Sequence, residues 1–430
     1  MNFFNSIEGP PLDSTLELSS SDKAMLDGAH GEATALAMRI LVRSATVIGA
    51  KRLVDITSAH IDGCLYHGDV SIDFVRRLVA GGAKVVVPTT LNVGSIDLIH
   101  PELVKGTSAV NAAGKQLMEL HLQLGCEPTF TCAPYQKKNR PKLGDQIAWA
   151  ESNAIVFANS VLGARTNRYG DFIDLCAALT GRAPLAGLHR DQGRFAKAVF
   201  ELPPIGELEA GRDIWFALVG LVVGALTEAD IPALMGIPLD ATEDELKALG
   251  ASSASTGAVA MFHAIGVTPE ARTLECALGG VPALRTVKVT TEDLLRIRRH
   301  LNNAQAGAPL AAVCLGTPHF SLAEFDRLQA LLTEFPGQLR SKMYVNTSRF
   351  ILWDLEQHGR LHALQERGVQ LVTDTCTYIV PILENVKGAV MTNSGKMAHY
   401  APSNMGFTMA FASLAECVRS AIQGEVVLNG

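Results

Sequence analysis

From Ala283 onward the chain repeats one pattern, a short apolar run followed by an amphipathic segment with helical spacing. RTVKV, EDLLRIRRHL, PLAAVC, SLAEFDRLQALL, KMYVN, RFILWDLEQHG and VQLVTDTC succeed one another, and KGAVMTN and SLAECVRSAIQG close the series. Strands separated by helices cannot pair as tight hairpins; they line up in parallel with helices over the faces. The first part of the chain alternates more loosely. A helix is expected over 22–41, a strand at RLVDIT (52–57), a helix over 71–83 ending at paired glycines and a strand at KVVVP (84–88). A helix over 109–124 and a strand at PTFTC (128–132) follow. Residues 201–268 read as mostly helical. The expectation is an α/β fold in which one catalytic region spans 1–430. It subdivides into 1–200 (α/β), 201–282 (mainly helical) and 283–430 (α/β), with no repeat or linker that separates independent domains.

A chain of 430 residues can bury more than one core. Its hydrophobic fraction of 48% and charged fraction of 19% suit a compact protein, and a net charge of −6 gives no reason to expect nucleic acid or an anionic membrane as partner. The longest apolar run, Ile214 to Leu226, is shorter than a bilayer span and reads as a buried helix. The opening MNFFNSIEGPPLDS lacks the basic start and apolar core of a signal peptide, so a cytoplasmic location is expected.

In that reducing compartment the 8 cysteines are not a disulfide framework, and no pair has zinc-finger spacing. Three share a position: Cys132 ends PTFTC, Cys314 ends PLAAVC and Cys376 follows VQLVTDT. Each stands at the carboxyl end of an expected strand, before a turn-rich stretch. Ligand sites of open α/β sheets collect at that edge. Cys132, Cys314 and Cys376 are therefore metal-ligand candidates, with burial in the core as the competing reading. Cys126, Cys176 and Cys417 have apolar neighbours and read as structural.

Five polar loops suit a small charged substrate. SAHIDGCLYHGD (58–69) carries His60, Asp62 and His67, and PTTLN (88–92) ends in Asn92. AWAESN (148–153) carries Glu151 and Ser152, NSVLGARTNRYGD (159–171) carries Arg168, and MTNSGKMAHYAP (391–402) carries Lys396. Such residues also cap helices and close turns, but five loops of this kind exceed what turns require.

The segments TCAPYQ, AWAESNA, ANSVLGARTNRYGD, DTCTYIVP, VMTNSGKMAHYAP and SLAECVRSAIQG resemble the large subunit of aconitase X enzymes, from about Leu18 to Val427. The resemblance implies the layered α/β subdomains of aconitase domains 1–3, without the swivelling domain, and chemistry that eliminates water. It implies an iron–sulfur cluster on Cys132, Cys314 and Cys376, as 2Fe–2S or 4Fe–4S, with a mononuclear iron as a further option. The family's substrate positions match Gly63, Cys64, Leu65, Asn92, Val93, Glu151, Ser152 and Lys396, with Lys396, Glu151 and His60 as catalytic candidates. The family also uses a small swivelling domain that supplies the base. That domain is expected here as a separate small subunit.

Two substrates divide the family, cis-3-hydroxy-L-proline and phosphomevalonate. Where archaeal-type members resemble SGVSY, this chain has DGCLY, so Asp62 replaces a hydroxyl with a carboxylate. A carboxylate attracts a ring ammonium and repels a phosphate, by about 4 kcal/mol at ~4 Å and an effective dielectric of ~20. The reading is therefore a cis-3-hydroxy-L-proline dehydratase that yields Δ1-pyrroline-2-carboxylate, with Asp62 on the ring ammonium. The alternatives are a phosphomevalonate dehydratase, a non-catalytic assembly subunit with structural zinc, and a pyridoxal phosphate enzyme using Lys396.

Overall fold

In a computed structural model, which describes residues 15–208, 211–228 and 230–428, the carboxyl-terminal alternation becomes a five-stranded sheet. Its order is Val369–Val372, Lys342–Thr347, Leu310–Phe320, Ala389–Thr392, Met409–Phe411, and every pairing is parallel. The covering helices Leu322–Glu334, Arg349–Gln357 and Leu414–Gln423 start at Ser321, Ser348 and Ser413, whose hydroxyls each accept a backbone N–H of the first turn. Their apolar stripes, Phe325, Leu328 and Leu332 among them, pack on Val313, Leu315, Met343 and Val345 of the sheet in one core.

The first region departs from expectation in detail. The expected helix over 22–41 is two, Ser20–Leu26 and Glu32–Val47. The strand expected at 84–88 falls one step later, at Thr89–Leu91, because the Val85 and Val86 amides bond to different segments, at Leu124 and Ala178. PTFTC is no strand either. The Thr129 hydroxyl accepts the Leu91 amide (2.8 Å) and the Thr131 amide reaches the Leu91 carbonyl (2.9 Å), while Phe130 between them takes a φ of +39°. That left-handed residue rules out a regular ladder.

The middle, expected to be mainly helical, also holds a four-stranded parallel sheet. Its order is His263–Ala264, Pro232–Met235, Ala198–Glu201, Arg285–Lys288. Arg285–Lys288 is the strand expected at RTVKV, whereas the other three are too short to leave a periodicity to read. The apolar run around Ile214 is the buried helix Arg212–Thr227. It packs so closely on the helix Glu243–Thr256 that a Cβ on Gly220 would lie 2.3 Å from the Leu249 carbonyl oxygen. No helix among the described residues is long and apolar enough to cross a membrane. The amino-terminal segment read for a signal peptide lies outside the described residues.

Candidate active site

The carboxyl edge of the five-stranded sheet gathers most of the candidate residues, but Cys314 is not among them. The strand does not end at Cys314; it runs on to Phe320, and Cys314 pairs with Tyr344 in mid-sheet, wholly buried in the core. The register breaks between Leu315 and Phe320 at Gly316, whose φ is +81° and whose added Cβ would lie 2.1 Å from the Asn346 carbonyl oxygen. Only glycine fits there. The break carries Thr317, Pro318 and His319 to the edge.

Two further segments arrive at the same place, 373–378 after the strand Val369–Val372 and 129–133 from the first region. Cys132, His319 and Cys376 then offer ligand atoms that all lie within 4.8 Å of one another. The His319 amide donates to Cys132 Sγ (3.3 Å), and His319 Nε2 is 3.6 Å from Cys376 Sγ. On the far side of the ring, Nδ1 shares a hydrogen bond with Thr131 Oγ1 (2.9 Å), which also accepts the Ala133 amide (3.1 Å). Burial pushes the His319 imidazole down to about 4, so the ring is neutral, and Nε2 also reaches the Thr375 carbonyl oxygen at 3.3 Å. Contact with Cys132 and burial push the Cys376 thiol well up. Two thiols and a neutral imidazole form a soft donor set, the kind that binds zinc or iron. Sequence reading named the two cysteines and missed His319, although a histidine directly after Gly-Thr-Pro at a strand's end was a usable signal.

Cys132 and Cys376 line a cleft of about 400 Å³, and Asp62, Asn92, Ser152 and Lys396 line it too. Glu151 stands at the N-cap of the helix Ser152–Phe157 with a φ of +74°, and its Oε2 accepts the Ala154 amide (2.7 Å). Its Oε1 accepts the Lys396 ammonium (2.5 Å) and the Ser152 hydroxyl (3.1 Å), and Lys396 also reaches Ser152 Oγ at 3.2 Å. Burial alone would raise the Glu151 carboxyl, but the Lys396 charge and backbone N–H donors outweigh it and hold the group below its ordinary value. In turn, Glu151 overcomes burial to lift Lys396 well above its own. Both are ionised.

Asp62 accepts a hydrogen bond from the Asn92 side chain, and its amide donates to Asp174 (2.8 Å). Burial, then the charges of Glu151 and Asp171, push its carboxyl up to about 7. Leu65 and Val93 complete the predicted residues in the cleft. Gly63 and Cys64 are buried in the turn behind Asp62, where the Cys64 amide bonds to the Asp62 carbonyl (2.7 Å). His60, expected as a catalytic candidate, does not line the cleft; it is fully buried with Nδ1 against Thr90 Oγ1 (2.8 Å), and burial pushes it down to about 3. Arg168 lines the cleft from an exposed position.

Family models for the aconitase X first, second and third domains match residues 15–192, 199–299 and 310–423. The chain is 42% identical to a cis-3-hydroxy-L-proline dehydratase of Hypocrea jecorina, over 96% of this chain and 70% of that one. It is 43% identical to a Pseudomonas aeruginosa protein of the same name, over 95% and 70%. It is 33% identical to the phosphomevalonate dehydratase large subunit of Thermococcus kodakarensis, over 94% and 99%. The crystal structure of Thermococcus kodakaraensis aconitase X (holo-form) superposes with a TM-score of 0.84 at 32% identity, covering 94% of this chain and all of that one. The layered parallel sheets, the cleft and these relatives agree: the chain belongs to the aconitase X family and is a dehydratase, a hydro-lyase.

Proposed function

We propose that the chain is the catalytic part of an iron–sulfur-dependent hydro-lyase that removes water from cis-3-hydroxy-L-proline to give Δ1-pyrroline-2-carboxylate, acting with a separate small swivelling subunit. The observation that carries the reading is one cleft lined both by the Cys132–Cys376 pair and by the Asp62 carboxylate. The donors fit a metal centre. They are Cys132, Cys376 and His319, so the expected three-cysteine set is revised, with His319 in the place given to Cys314. Two buried hydroxyls beside them, Thr317 Oγ1 and Thr375 Oγ1, have no hydrogen-bond partner within the protein, as groups turned toward an inorganic centre would not. Iron–sulfur centres of this family's kind supply Lewis acidity toward a leaving hydroxyl.

The chain's own residues hold the substrate. Asp62, steadied by Asn92, pairs with the ring ammonium. Lys396, kept charged by Glu151, stabilises the negative charge that builds on the carboxylate as the neighbouring proton leaves. Arg168 offers that carboxylate a second cation at the mouth. Glu151, ionised beside Lys396, holds that ammonium in place rather than donating a proton to the leaving group. The base belongs to the small subunit.

The alternatives fare less well. A structural zinc site is closed by four ligands, whereas among the described residues these are three and border an open cleft. A Schiff-base lysine needs a neutral amine, and Lys396 is held protonated. Asp62 disfavours phosphomevalonate. The deciding experiment is anaerobic purification with the small subunit, iron and sulfide analysis, and assay on hydroxyproline isomers. Iron with sulfide and turnover of the cis-3 isomer support the reading; zinc without sulfide, or turnover of phosphomevalonate alone, overturns it.

A further inference from the structure

The two cysteine-bearing loops have a common design that the reaction chemistry does not explain. Two residues before Cys132, Phe130 has a φ of +39°; two residues before Cys376, Asp374 has a φ of +60°. Both are wholly buried, and neither is a glycine. Left-handed conformations at such residues persist only where the surroundings over-determine them. Here one side chain touches both. The Arg349 guanidinium makes a bidentate pair with Asp374, Nε to Oδ1 at 2.5 Å and Nη2 to Oδ2 at 2.7 Å. The same guanidinium lies over the Phe130 ring, 4.9 Å from its centroid.

The loop 94–105, from the region that bears Cys132, is stitched to the Cys376 loop as well. Asp374 accepts the Leu98 amide at Oδ2 (3.1 Å) and the Gly94 amide at its carbonyl (2.7 Å). Asp97, fully buried, accepts the Thr373 amide (2.9 Å) and the Thr373 hydroxyl (3.0 Å). We infer that Arg349, through Asp374 and Phe130, is the positioning residue that presets the spacing of Cys132 and Cys376, so that the metal-binding pair is formed before any metal arrives. A planar guanidinium does this where an ammonium would not, since one face stacks on the ring while the edge holds both carboxylate oxygens. A preformed pair avoids the cost of ordering two loops on binding.

This inference rests on Cys132, His319 and Cys376 being the metal-binding group, so its test uses Co²⁺ alone on metal-free protein and reads the thiolate-to-cobalt charge-transfer absorption. That band should appear in the unaltered chain and vanish in Cys132→Ser and Cys376→Ser. If it does not, the metal-site reading itself fails. Given the band, Arg349→Lys should weaken Co²⁺ binding about tenfold or more, with a shifted band, while the metal-free protein keeps its fold. Removal of Arg349 alone leaves Asp374 buried without its cation. Arg349→Met with Asp374→Asn is therefore the companion variant, and asparagine tolerates the left-handed backbone. Leu355→Ala, in the core of the same region, is the stability control: it should lower the melting temperature and leave Co²⁺ affinity unchanged. Equal Co²⁺ affinity in the folded Arg349 variants overturns the inference. So does a loss of affinity that Leu355→Ala reproduces at the same loss of stability.

Discussion

Cys132, His319 and Cys376 are buried with their donor atoms within 4.8 Å of one another and no charged partner among them, whereas Glu151 and Lys396 of the same cleft are both ionised and answer each other's charge. The ion pair is complete within the protein. The donor trio is not, because buried thiols ionise readily only when a cation is present to receive them. Both groups are assembled across the sheet edge from distant segments, Glu151 with Lys396 and Cys132 with Cys376. They should therefore respond differently to substitution: the trio in metal content, the pair in stability.

The largest effect is expected at the trio. Cys132→Ser and Cys376→Ser should each lose iron and abolish turnover in the enzyme assayed with the proposed small subunit, and His319→Ala should do the same. Cys126→Ser and Cys417→Ala should keep both iron and turnover. Iron analysis of the purified variants decides, and full iron in His319→Ala would return the third ligand to another residue.

At the pair, Glu151→Gln leaves the Lys396 ammonium buried without its counter-charge, which typically costs about 3–5 kcal/mol. Lys396→Met does the converse. The double variant should recover much of that loss, since neither charge is then orphaned. Denaturant midpoints at unchanged slope measure it. Equal stability of all three variants and the parent would mean that the pair is solvated, and the contrast with the donor trio would collapse.

How much of this contrast was legible beforehand follows from what the residues do locally. The long helices and strands after Ala283 declare themselves because each buries one face, so spacing reports the core. Glu151, Ser152 and Lys396 stand in distinctive polar loops. His319 was passed over because the strand was expected to end at Cys314, whereas the chain stays extended to Phe320 and breaks register at Gly316. The ion pair joins residues 245 positions apart, a meeting that no local pattern encodes. Arg349 looked like the first residue of an amphipathic helix, which it also is.

Asp62 lies between the two behaviours, a carboxyl raised to about 7 and so ready to change charge. Below that pH it is protonated and offers a ring ammonium little; above it the carboxylate forms a pair. Affinity for L-proline, a zwitterion that keeps the ring ammonium and the carboxylate but lacks the leaving hydroxyl, should therefore rise as pH increases through 7, with proton release at neutral pH. Calorimetry in buffers of different ionisation enthalpy reads both. Asp62→Ser should flatten that dependence and lower kcat/KM on cis-3-hydroxy-L-proline by roughly 30-fold or more, as loss of one partner of such a pair costs about 2–5 kcal/mol. An unchanged kcat/KM would remove Asp62 from the substrate site.

The smallest effect is expected at Cys314, and it separates the two descriptions of the metal site most cleanly. Cys314 pairs with Tyr344 in mid-strand and is fully buried, and it is absent from the group that Cys132, His319 and Cys376 form. Replacing it with alanine removes one sulfur from a packed core, a change of about 1 kcal/mol, the centre of the range for single substitutions. Cys314→Ala should therefore melt slightly earlier, bind Co²⁺ with an unaltered charge-transfer band and carry the parent's iron. Serine is the harsher probe, because its hydroxyl would need a hydrogen-bond partner in that core. Loss of iron in Cys314→Ala comparable to that in Cys132→Ser would make the site a three-thiolate one, with His319 beside it rather than in it.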